Sequence, residues 1–267
     1  MKKTVRQFLI NNNFYYPLRY SLVFRLYQLC FKIQDIRRQT HELAFYQSFL
    51  SSCKLIFDIG ANDGHKTATF LELADKVVCC EPDKLSYKIL KTRFRNRKKK
   101  VFIENKAVSD QTGFAEFHIH HPGSAFNTLS TKWKQLLETD SQKKWNEKII
   151  FSAKEKTEIT TLDTLIEKYG APDFIKIDVE GSEMLVLNGL SRRLACLSFE
   201  TLLPDCLTEL QGCLSAVNKL DSSSAYNIAK DEELLFPNFI SLAELEKWAI
   251  SYSEDSFTFE IIVKMHA

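Results

Sequence analysis

The feature that most constrains the fold of this chain is a glycine-containing turn directly after a short apolar run. The run Lys54–Asp58 is apolar at its centre, and the overlapping segment Phe57–Gly64 contains Gly60 and Gly64. An apolar run that ends in such a turn, before a helical stretch, predicts a buried strand leading into a helix. The two glycines allow the backbone to approach a ligand closely, and the unpaired N–H groups of the next helix face the same place. The sequence therefore predicts an α/β domain that binds a ligand at this turn.

Beyond this turn, short β-rich runs alternate with helical stretches, which is typical of βαβ units in a mainly parallel sheet. Seven strands are predicted, over Lys54–Asp58, Lys76–Cys80, Val101–Asn105, Phe174–Asp178, Cys196–Glu200, Tyr226–Ala229 and Phe257–Met265. Helices are predicted over His65–Ala74, Lys84–Arg95, Leu162–Tyr169, Glu183–Leu194, Leu207–Leu220 and Leu242–Ile250. The expected fold is a Rossmann-like, seven-stranded, mainly parallel sheet with helices on both faces.

The residue types in the turn distinguish between the known nucleotide-binding motifs. A dinucleotide fingerprint requires glycine where Asp58 stands, and a phosphate-binding P-loop requires lysine where His65 stands. A carboxylate is unfavourable beside a pyrophosphate but favourable beside a cation. Because S-adenosylmethionine carries an ammonium group and a sulfonium, Asp58 favours that cofactor.

Two further acids end predicted strands. Glu81 lies 23 positions after Asp58, which matches the roughly 20-residue spacing at which an acid reaches the ribose hydroxyls in Rossmann-like domains. Asp178 ends the fourth strand, and ligands of open α/β sheets bind outside the carboxyl ends of the strands. The three acids are therefore expected at one edge of the sheet. Two alternatives stay open: Asp58 only caps the helix, and Glu81 is a surface acid before a turn at Pro82.

The residues from about 55 to 200 resemble the FkbM family of S-adenosylmethionine-dependent methyltransferases, and the segment Lys176–Gly181 is the most specific part of the resemblance. The matching positions are Phe57–Gly64 with Thr67, Glu81 and Pro82, Ala107–Ser109, Leu162 and Asp163, and Lys176–Gly181 with Glu183, Leu187 and Gly189. The resemblance implies a class I methyltransferase fold. It also implies methylation of a hydroxyl on a sugar, glycolipid, polyketide or similar molecule.

The resemblance assigns roles to individual residues toward S-adenosylmethionine. The cofactor-binding positions carried over are Asp58, Gly60, Ala61, Asn62, Gly64, Thr67, Glu81, Pro82, Asp83, Lys106 and Ala107. The residues that would bind the methionine part are Asp58, Gly60, Asn62 and Gly64. Glu81 would bind the ribose. Asp83, Lys106 and Ala107 would lie near the adenine.

The chemistry of methyl transfer to an alcohol depends on alignment of donor and acceptor, helped by a general base within reach of the hydroxyl proton. Asp178 is the first candidate base, because the fourth strand delivers it beside the expected methyl group. Glu180 and Glu200 are alternatives, and Glu200 lies at the predicted carboxyl end of the fifth strand.

Three histidines form a second group of candidates. His118, His120 and His121 precede Pro122, and histidine titrates near neutrality, so His121 is kept as a further candidate base. Alternation places His118 and His120 on one face of a strand. These two are therefore interpreted as a plain exposed pair, and no metal site is assigned.

The length of 267 residues fits one α/β domain with appendages. Residues 1–50 are interpreted as an N-terminal helical extension, and residues 51–267 as the Rossmann-like methyltransferase domain. An insertion at 113–160 holds a predicted edge strand, Phe114–Ile119, and a long polar stretch, Pro122–Lys156. We expect this insertion to cover the acceptor pocket.

Cysteine usage and charge limit the other function classes. The seven cysteines form no C-x-x-C pair or zinc-finger spacing and are interpreted as reduced, structural thiols. The basic run Arg93–Lys100 could bind phosphates. It lacks the interleaved aromatics of a single-strand binder, and the solvated end of a helix is the preferred interpretation.

The remaining expectations concern partners and location. No apolar stretch approaches the roughly 20 residues of a membrane span, and none follows Met1-Lys2-Lys3, so a cytoplasmic protein without a signal peptide is expected. A small-molecule or glycan acceptor is expected, and nucleic acid is disfavoured. Two alternative functions stay open: a cofactor-binding module without turnover, and a methyltransferase acting on RNA ribose. The sequence does not give the oligomeric state.

Overall fold

The computed structural model describes Tyr16, Leu18, Tyr20, residues 33–145 and residues 148–265. Most of the predicted N-terminal extension therefore lies outside the described residues. Its described part ends in helix α1, Ile33–Gln47. Within the described residues, none of the helices is both long and apolar enough to cross a membrane.

The main sheet has eight strands in the order β10-β9-β11-β8-β7-β1-β2-β3. These strands are β1 Cys53–Ile59, β2 Ala74–Cys80, β3 Val101–Glu104, β7 Phe174–Ile177, β8 Cys196–Leu203, β9 Ala225–Lys230, β10 Glu233–Leu234 and β11 Phe257–Lys264. The five strands from β8 to β3 run parallel, and β11 lies antiparallel between β8 and β9. The predicted α/β fold with a mainly parallel sheet is confirmed.

The helices that follow the parallel strands return the chain across the faces of the sheet. The helices after α1 are α2 His65–Phe70, α3 Lys84–Arg93, α4 Thr131–Trp145, α5 Leu162–Tyr169, α6 Glu183–Asn188, α7 Leu207–Leu220 and α8 Leu242–Ser251. Asp83 and Thr161 cap α3 and α5 by accepting backbone N–H bonds, and Ser241 and Glu244 form a capping box on α8.

The structure adds three details to the predicted strands and helices, and the first of them corrects the expected number of strands. The main sheet has eight strands rather than seven, because β10 pairs with β9 over two residues, too few to give a periodic signal. The predicted edge strand Phe114–Ile119 is present, but it is not part of the main sheet. It is strand β5, Gly113–Ile119, of a separate sheet in the order β4-β6-β5, with β4 Ala107–Val108 and β6 Ala153–Thr160. The insertion also contains the unpredicted helix α4, whose sequence is mostly polar.

The N-terminal helix α1 is packed against the main domain by an aromatic cluster and a buried acid. Tyr46 contacts Phe70 and Phe174 at ring-centroid distances of 4.9 and 5.9 Å. Glu42 is fully buried and lies 3.0 Å from the Lys66 Nζ of α2. Burial opposes its ionisation, but His65 and Lys66 lower the pKa of Glu42 to about 2. Helix α1 therefore packs against α2, the helix that follows the glycine turn, and stabilises its position.

Candidate active site

The turn between β1 and α2 packs directly against the carboxyl end of β7. Gly60 has a φ of +87°, and a Cβ there would collide with the carbonyl oxygen of Asp178. The Asp178 N–H in turn donates to the Ile59 carbonyl at 2.9 Å. Asn62 also has a positive φ, of 46°, a conformation in which asparagine is enriched. This close approach places Asp178 beside the glycine turn.

Glu81 closes the turn from the end of β2. Its carboxyl accepts the backbone N–H of Asn62 at 2.8 Å and that of Asp83 at 2.7 Å. The side chain is 6% exposed, and burial raises the pKa of Glu81 to about 7. A carboxylate offers about four acceptor positions, so each oxygen keeps capacity for one more donor.

Asp58 lies beneath the turn rather than on its open side. Its carboxylate is 1% exposed and accepts the hydroxyl of Thr67 on α2. Burial raises the pKa of Asp58 to about 6. Gly64 packs against Leu90 and Phe94, where there is no room for a Cβ. Asp58 and Thr67 thus lock the turn to α2, and the suggested contact of Asp58 with the methionine part stays a prediction.

Asp83 fixes two segments at once. One oxygen accepts the N–H groups of Leu85 and Ser86 at the start of α3, together with the Gly123 N–H at 3.0 Å. The other oxygen accepts the side-chain amide of Asn127 at 3.1 Å. Asp83 thus anchors the insertion to the main domain.

The first pocket opens at the glycine turn and has an empty volume of about 640 Å³. The predicted cofactor-binding residues that line it are Gly60, Asn62, Glu81, Pro82, Lys106 and Ala107. The predicted residues that do not line it are Asp58, Ala61, Gly64, Thr67 and Asp83. Ser124, Asn127 and Leu129 of the insertion also line this pocket.

A second pocket, with an empty volume of about 680 Å³, meets the first at Asp178 and Glu180. Its walls include Phe126, Trp133, Glu183, Glu200, Thr201 and Glu209. Three of the four predicted catalytic residues, Asp178, Glu180 and Glu200, line this pocket. The two pockets thus lie on either side of two carboxyl groups, those of Asp178 and Glu180.

A buried lysine gives the two strand-end acids different electrostatic environments. Lys176 of β7 is fully buried, and its Nζ donates to Glu200 Oε1 at 2.9 Å and lies 3.9 Å from Asp178 Oδ2. Burial and the charge of Glu200 raise the pKa of Asp178 well above its usual range. Burial opposes ionisation of Glu200, but Lys176 prevails and lowers the pKa of its carboxyl. Pairs of acids whose pKa values are pushed apart are typical of acid–base sites.

Glu180 occupies a strained backbone position. Its φ is +56°, which is uncommon outside glycine and is concentrated at functional sites. Trp133 Nε1 donates to Glu180 Oε2 at 3.0 Å, and the Thr128 hydroxyl donates to the Glu180 carbonyl at 2.6 Å. Burial, Asp178 and Glu200 raise the pKa of Glu180. The insertion therefore holds this acid in the wall between the pockets.

The histidines lie away from both pockets. His121 is exposed, and its Nδ1 lies 3.1 Å from the Pro122 carbonyl oxygen. The interpretation of His118 and His120 as an exposed pair was wrong, because His118 is only 3% exposed. Its Nε2 lies 3.3 Å from Thr131 Oγ1. Among the described residues, no group of three His, Cys, Asp or Glu side chains could hold a metal ion.

Several pocket residues were not singled out by the sequence. Trp133 and Phe126 belong to the polar insertion, and a lone aromatic in a polar stretch gives no periodic signal. Thr201 and Glu209 follow Glu200 on β8 and α7, and neither belongs to a motif. The six described cysteines are free and buried, and Cys206 and Cys213 line the second pocket.

A pH dependence of stability follows from Glu81. The unfolded carboxyl ionises near pH 4.5, whereas the folded one stays protonated to about pH 7. Between these values the folded state binds more protons, so the free energy of unfolding should fall by about 3 kcal/mol as the pH rises. Urea unfolding at pH 5 and pH 8 measures this decline. In Glu81→Gln it should be shallower, and equal declines in the two proteins would contradict the burial of a protonated Glu81.

A family profile described as the Methyltransferase FkbM domain matches residues 58–202. A solved methyltransferase FkbM from Methylobacillus flagellatus is 16% identical, with a TM-score of 0.48 over 73% of this chain and 46% of that chain. This chain thus spans about half the length of that structure. No curated protein sequence matches this chain.

Two further solved structures resemble the chain at lower identity. A precorrin-6y C5,15-methyltransferase from Geobacter metallireducens is 10% identical, with a TM-score of 0.44 over 85% of this chain and 87% of that chain. An O-methyltransferase from Bacillus cereus in complex with S-adenosylhomocysteine is 12% identical, with a TM-score of 0.40 over 86% of this chain and 80% of that chain.

Proposed function

The chain belongs to the family of methyltransferases with an FkbM domain, and from this premise we propose that it transfers a methyl group from S-adenosylmethionine to a hydroxyl of a small molecule or glycan. The observation that carries the proposal is the meeting of two pockets at Asp178, whose pKa is raised by burial and by Glu200. One pocket suits the cofactor and the other the acceptor. The carboxyl group between them suits proton removal from an alcohol.

The residues of the first pocket fit S-adenosylmethionine. Glu81 has two acceptor positions left after binding the backbone N–H groups of Asn62 and Asp83, which matches a ribose diol. Gly60 keeps the turn free of a side chain at the closest approach of β1 to β7. Lys106 and Ala107 line the same pocket and would flank the adenine. When bound, the cofactor supplies an electrophilic methyl group.

The residues around the second pocket would prepare the acceptor. Asp178 would orient the hydroxyl and accept its proton, because a base with a raised pKa is better matched to neutral pH. Lys176 would hold Glu200 ionised beside it, and that charge helps to raise the pKa of Asp178. The insertion, through Phe126 and Trp133, would exclude water and hold the two reactants in line.

The alternative of an RNA acceptor is disfavoured by the position of the basic run. Helix α3 starts at the carboxyl end of β2, so its last residue, Arg93, and the exposed residues 95–100 lie at the opposite edge of the sheet. Lys100 directly precedes β3, at the amino ends of the strands. The run therefore does not border the two pockets, and its position agrees with the solvated end of a helix.

The test is methyl transfer by the purified chain. We expect radiolabelled methyl from S-adenosylmethionine to appear in an ether product with a panel of hydroxylated sugars and small alcohols. Calorimetric binding of S-adenosylhomocysteine serves as the control. Cofactor binding without turnover on any hydroxyl compound would favour a binding module, and the absence of cofactor binding would refute the proposal as a whole.

A further inference from the structure

The second pocket is lined by more carboxyl groups than proton transfer requires. Five carboxyl groups line it, on Asp178, Glu180, Glu183, Glu200 and Glu209. From the pocket's charge and its unpartnered polar atoms we infer that it selects an acceptor carrying an amino group beside its hydroxyls, such as an amino sugar or aminocyclitol. This inference rests on the proposed function, because it takes the second pocket as the site of the methyl acceptor.

The lysines near the pocket pair with only some of these acids. Lys176 is fully buried behind the wall and is engaged by Glu200. Lys132 pairs with Glu209 but is 67% exposed, so solvent screens that pair. Glu180 accepts a neutral donor, the indole N–H of Trp133. Glu180 and Glu183 have no lysine partner among the described residues, and an ammonium group on the ligand would supply a cation beside them.

The acids are held close enough to oppose one another's ionisation. Burial, then Asp178 and Glu200, raise the pKa of Glu180. Burial also raises the pKa of Glu183, against the backbone N–H groups of Gly181 and Val179. A bound cation would favour ionisation of both groups. An anionic acceptor would bind less tightly, because each ionised carboxylate would repel it.

Unpartnered polar atoms in the wall point to a ligand independently of the charge. Thr201 is 8% exposed, lines the pocket, and its hydroxyl has no hydrogen-bond partner among the described residues. Glu209 Oε2 is likewise buried without a partner there, although Oε1 binds Lys132. Buried polar atoms are rarely left unsatisfied in folded proteins. Hydroxyl and amine groups of an acceptor would satisfy both.

The aromatic part of the wall suits the same ligand. Trp133 is fixed between Glu180, which accepts its N–H at 3.0 Å, and Gly181, where a Cβ would lie 2.6 Å from the Trp133 Cβ. Phe126 lines the pocket beside it. Aromatic faces attract cations, and an indole does so best. The pocket thus combines an aromatic surface with nearby carboxylates, as ammonium recognition requires.

Three sugars of the same ring size and different charge test the inference. With the protein saturated with S-adenosylhomocysteine, calorimetry at pH 7.5 compares glucosamine, glucose and glucuronate, and streptamine against inositol repeats the comparison on a carbocycle. We expect each amine to bind at least about tenfold more tightly than its neutral partner, and glucuronate to bind most weakly. Equal or tighter binding of the neutral compounds, or no binding of either amine, would overturn the inference.

Two variants locate the effect in the pocket. Glu209→Gln should lower the affinity for the amines by about tenfold and the affinity for glucose to a smaller extent, because it removes a charge but keeps the shape and one acceptor oxygen. Thr201→Val should lower the affinity for the amines and for the neutral compounds alike, by about two- to tenfold, because it removes one hydrogen bond. Glu167→Gln, at an exposed site on α5, is the matched control for loss of one acid. An unchanged amine preference in Glu209→Gln would overturn the inference.

The outcome is distinguishable from failure of the proposed function. If S-adenosylhomocysteine does not bind, or if no hydroxyl compound is methylated, the proposed function fails. If the cofactor binds and neutral sugars are methylated as well as their amino counterparts, the proposed function stands and only the acceptor class is wrong. Methyl-transfer rates on the same five compounds provide this second comparison.

Discussion

Asp178→Asn is expected to lower the rate of methyl transfer by about 10²–10⁴-fold while the affinity for S-adenosylhomocysteine stays nearly unchanged. The amide keeps the size of the carboxyl group but cannot accept the proton of an alcohol. Asp178 lies in the wall shared by the two pockets, with Lys176 Nζ at 3.9 Å. Initial rates and calorimetry on one preparation measure the two quantities.

A matched control separates catalysis from stability. Asp173 precedes β7 as Asp178 follows it, and its carboxylate accepts the backbone N–H groups of Lys54 and Leu55 at 2.6 and 2.9 Å. Asp173→Asn should lower the melting temperature and reduce the free energy of unfolding by around 1 kcal/mol. Turnover per folded molecule should stay near normal. Wild-type turnover in Asp178→Asn would refute its role as the base and direct attention to Glu180 and Glu200.

Glu81→Ala should weaken the binding of both S-adenosylmethionine and S-adenosylhomocysteine by about 100-fold or more. Two hydrogen bonds from a ribose diol to a carboxylate would be lost, each worth about 1.5–3 kcal/mol. Calorimetry with each ligand measures the loss. The same change leaves the N–H groups of Asn62 and Asp83 without their acceptor, so a melting curve must show that the variant is folded at the temperature used.

Two further variants keep this result interpretable. Glu81→Gln retains one acceptor oxygen and should lose affinity to a smaller extent than the alanine variant. Glu104→Gln changes the acid at the end of the neighbouring strand β3, which binds Lys168 at 2.5 Å and lies outside the first pocket. Its cofactor affinity should equal that of the unmodified protein. Unchanged affinity in folded Glu81→Ala would remove Glu81 from the cofactor site.

The strands and the turn were predictable because their signals are local. The turn at Gly60 follows from residue types within eight positions, and all seven predicted strands are present within a few residues of their expected bounds. The spacing between Asp58 and Glu81 also placed both acids at one edge, since parallel strands share that edge. Their side chains nevertheless diverge: Glu81 lines the first pocket, whereas Asp58 turns inward to Thr67.

The use of each polar side chain was less predictable. The expected position of Asp83 near the adenine stays a prediction, whereas its capping of α3 and its bonds to Gly123 and Asn127 of the insertion were not predicted. His118 was expected on an exposed face, but it is buried within the insertion, where its backbone pairs with that of Thr128. Both outcomes depend on contacts between segments that are distant in the sequence, and no local periodicity reports such contacts.

The sequence by itself determined the α/β fold, the family and the three acids at the carboxyl edge of the sheet, because these follow from local periodicity and from residue types at fixed spacing. Only the tertiary structure decided the environment of those acids. The sheet order places β7 beside β8, which brings Lys176 within 2.9 Å of Glu200. The folding of α4 against the β7–α6 turn brings Trp133 to Glu180. Charge and shape in the second pocket arise from these long-range contacts, whose energies depend on distance and burial rather than on position along the chain.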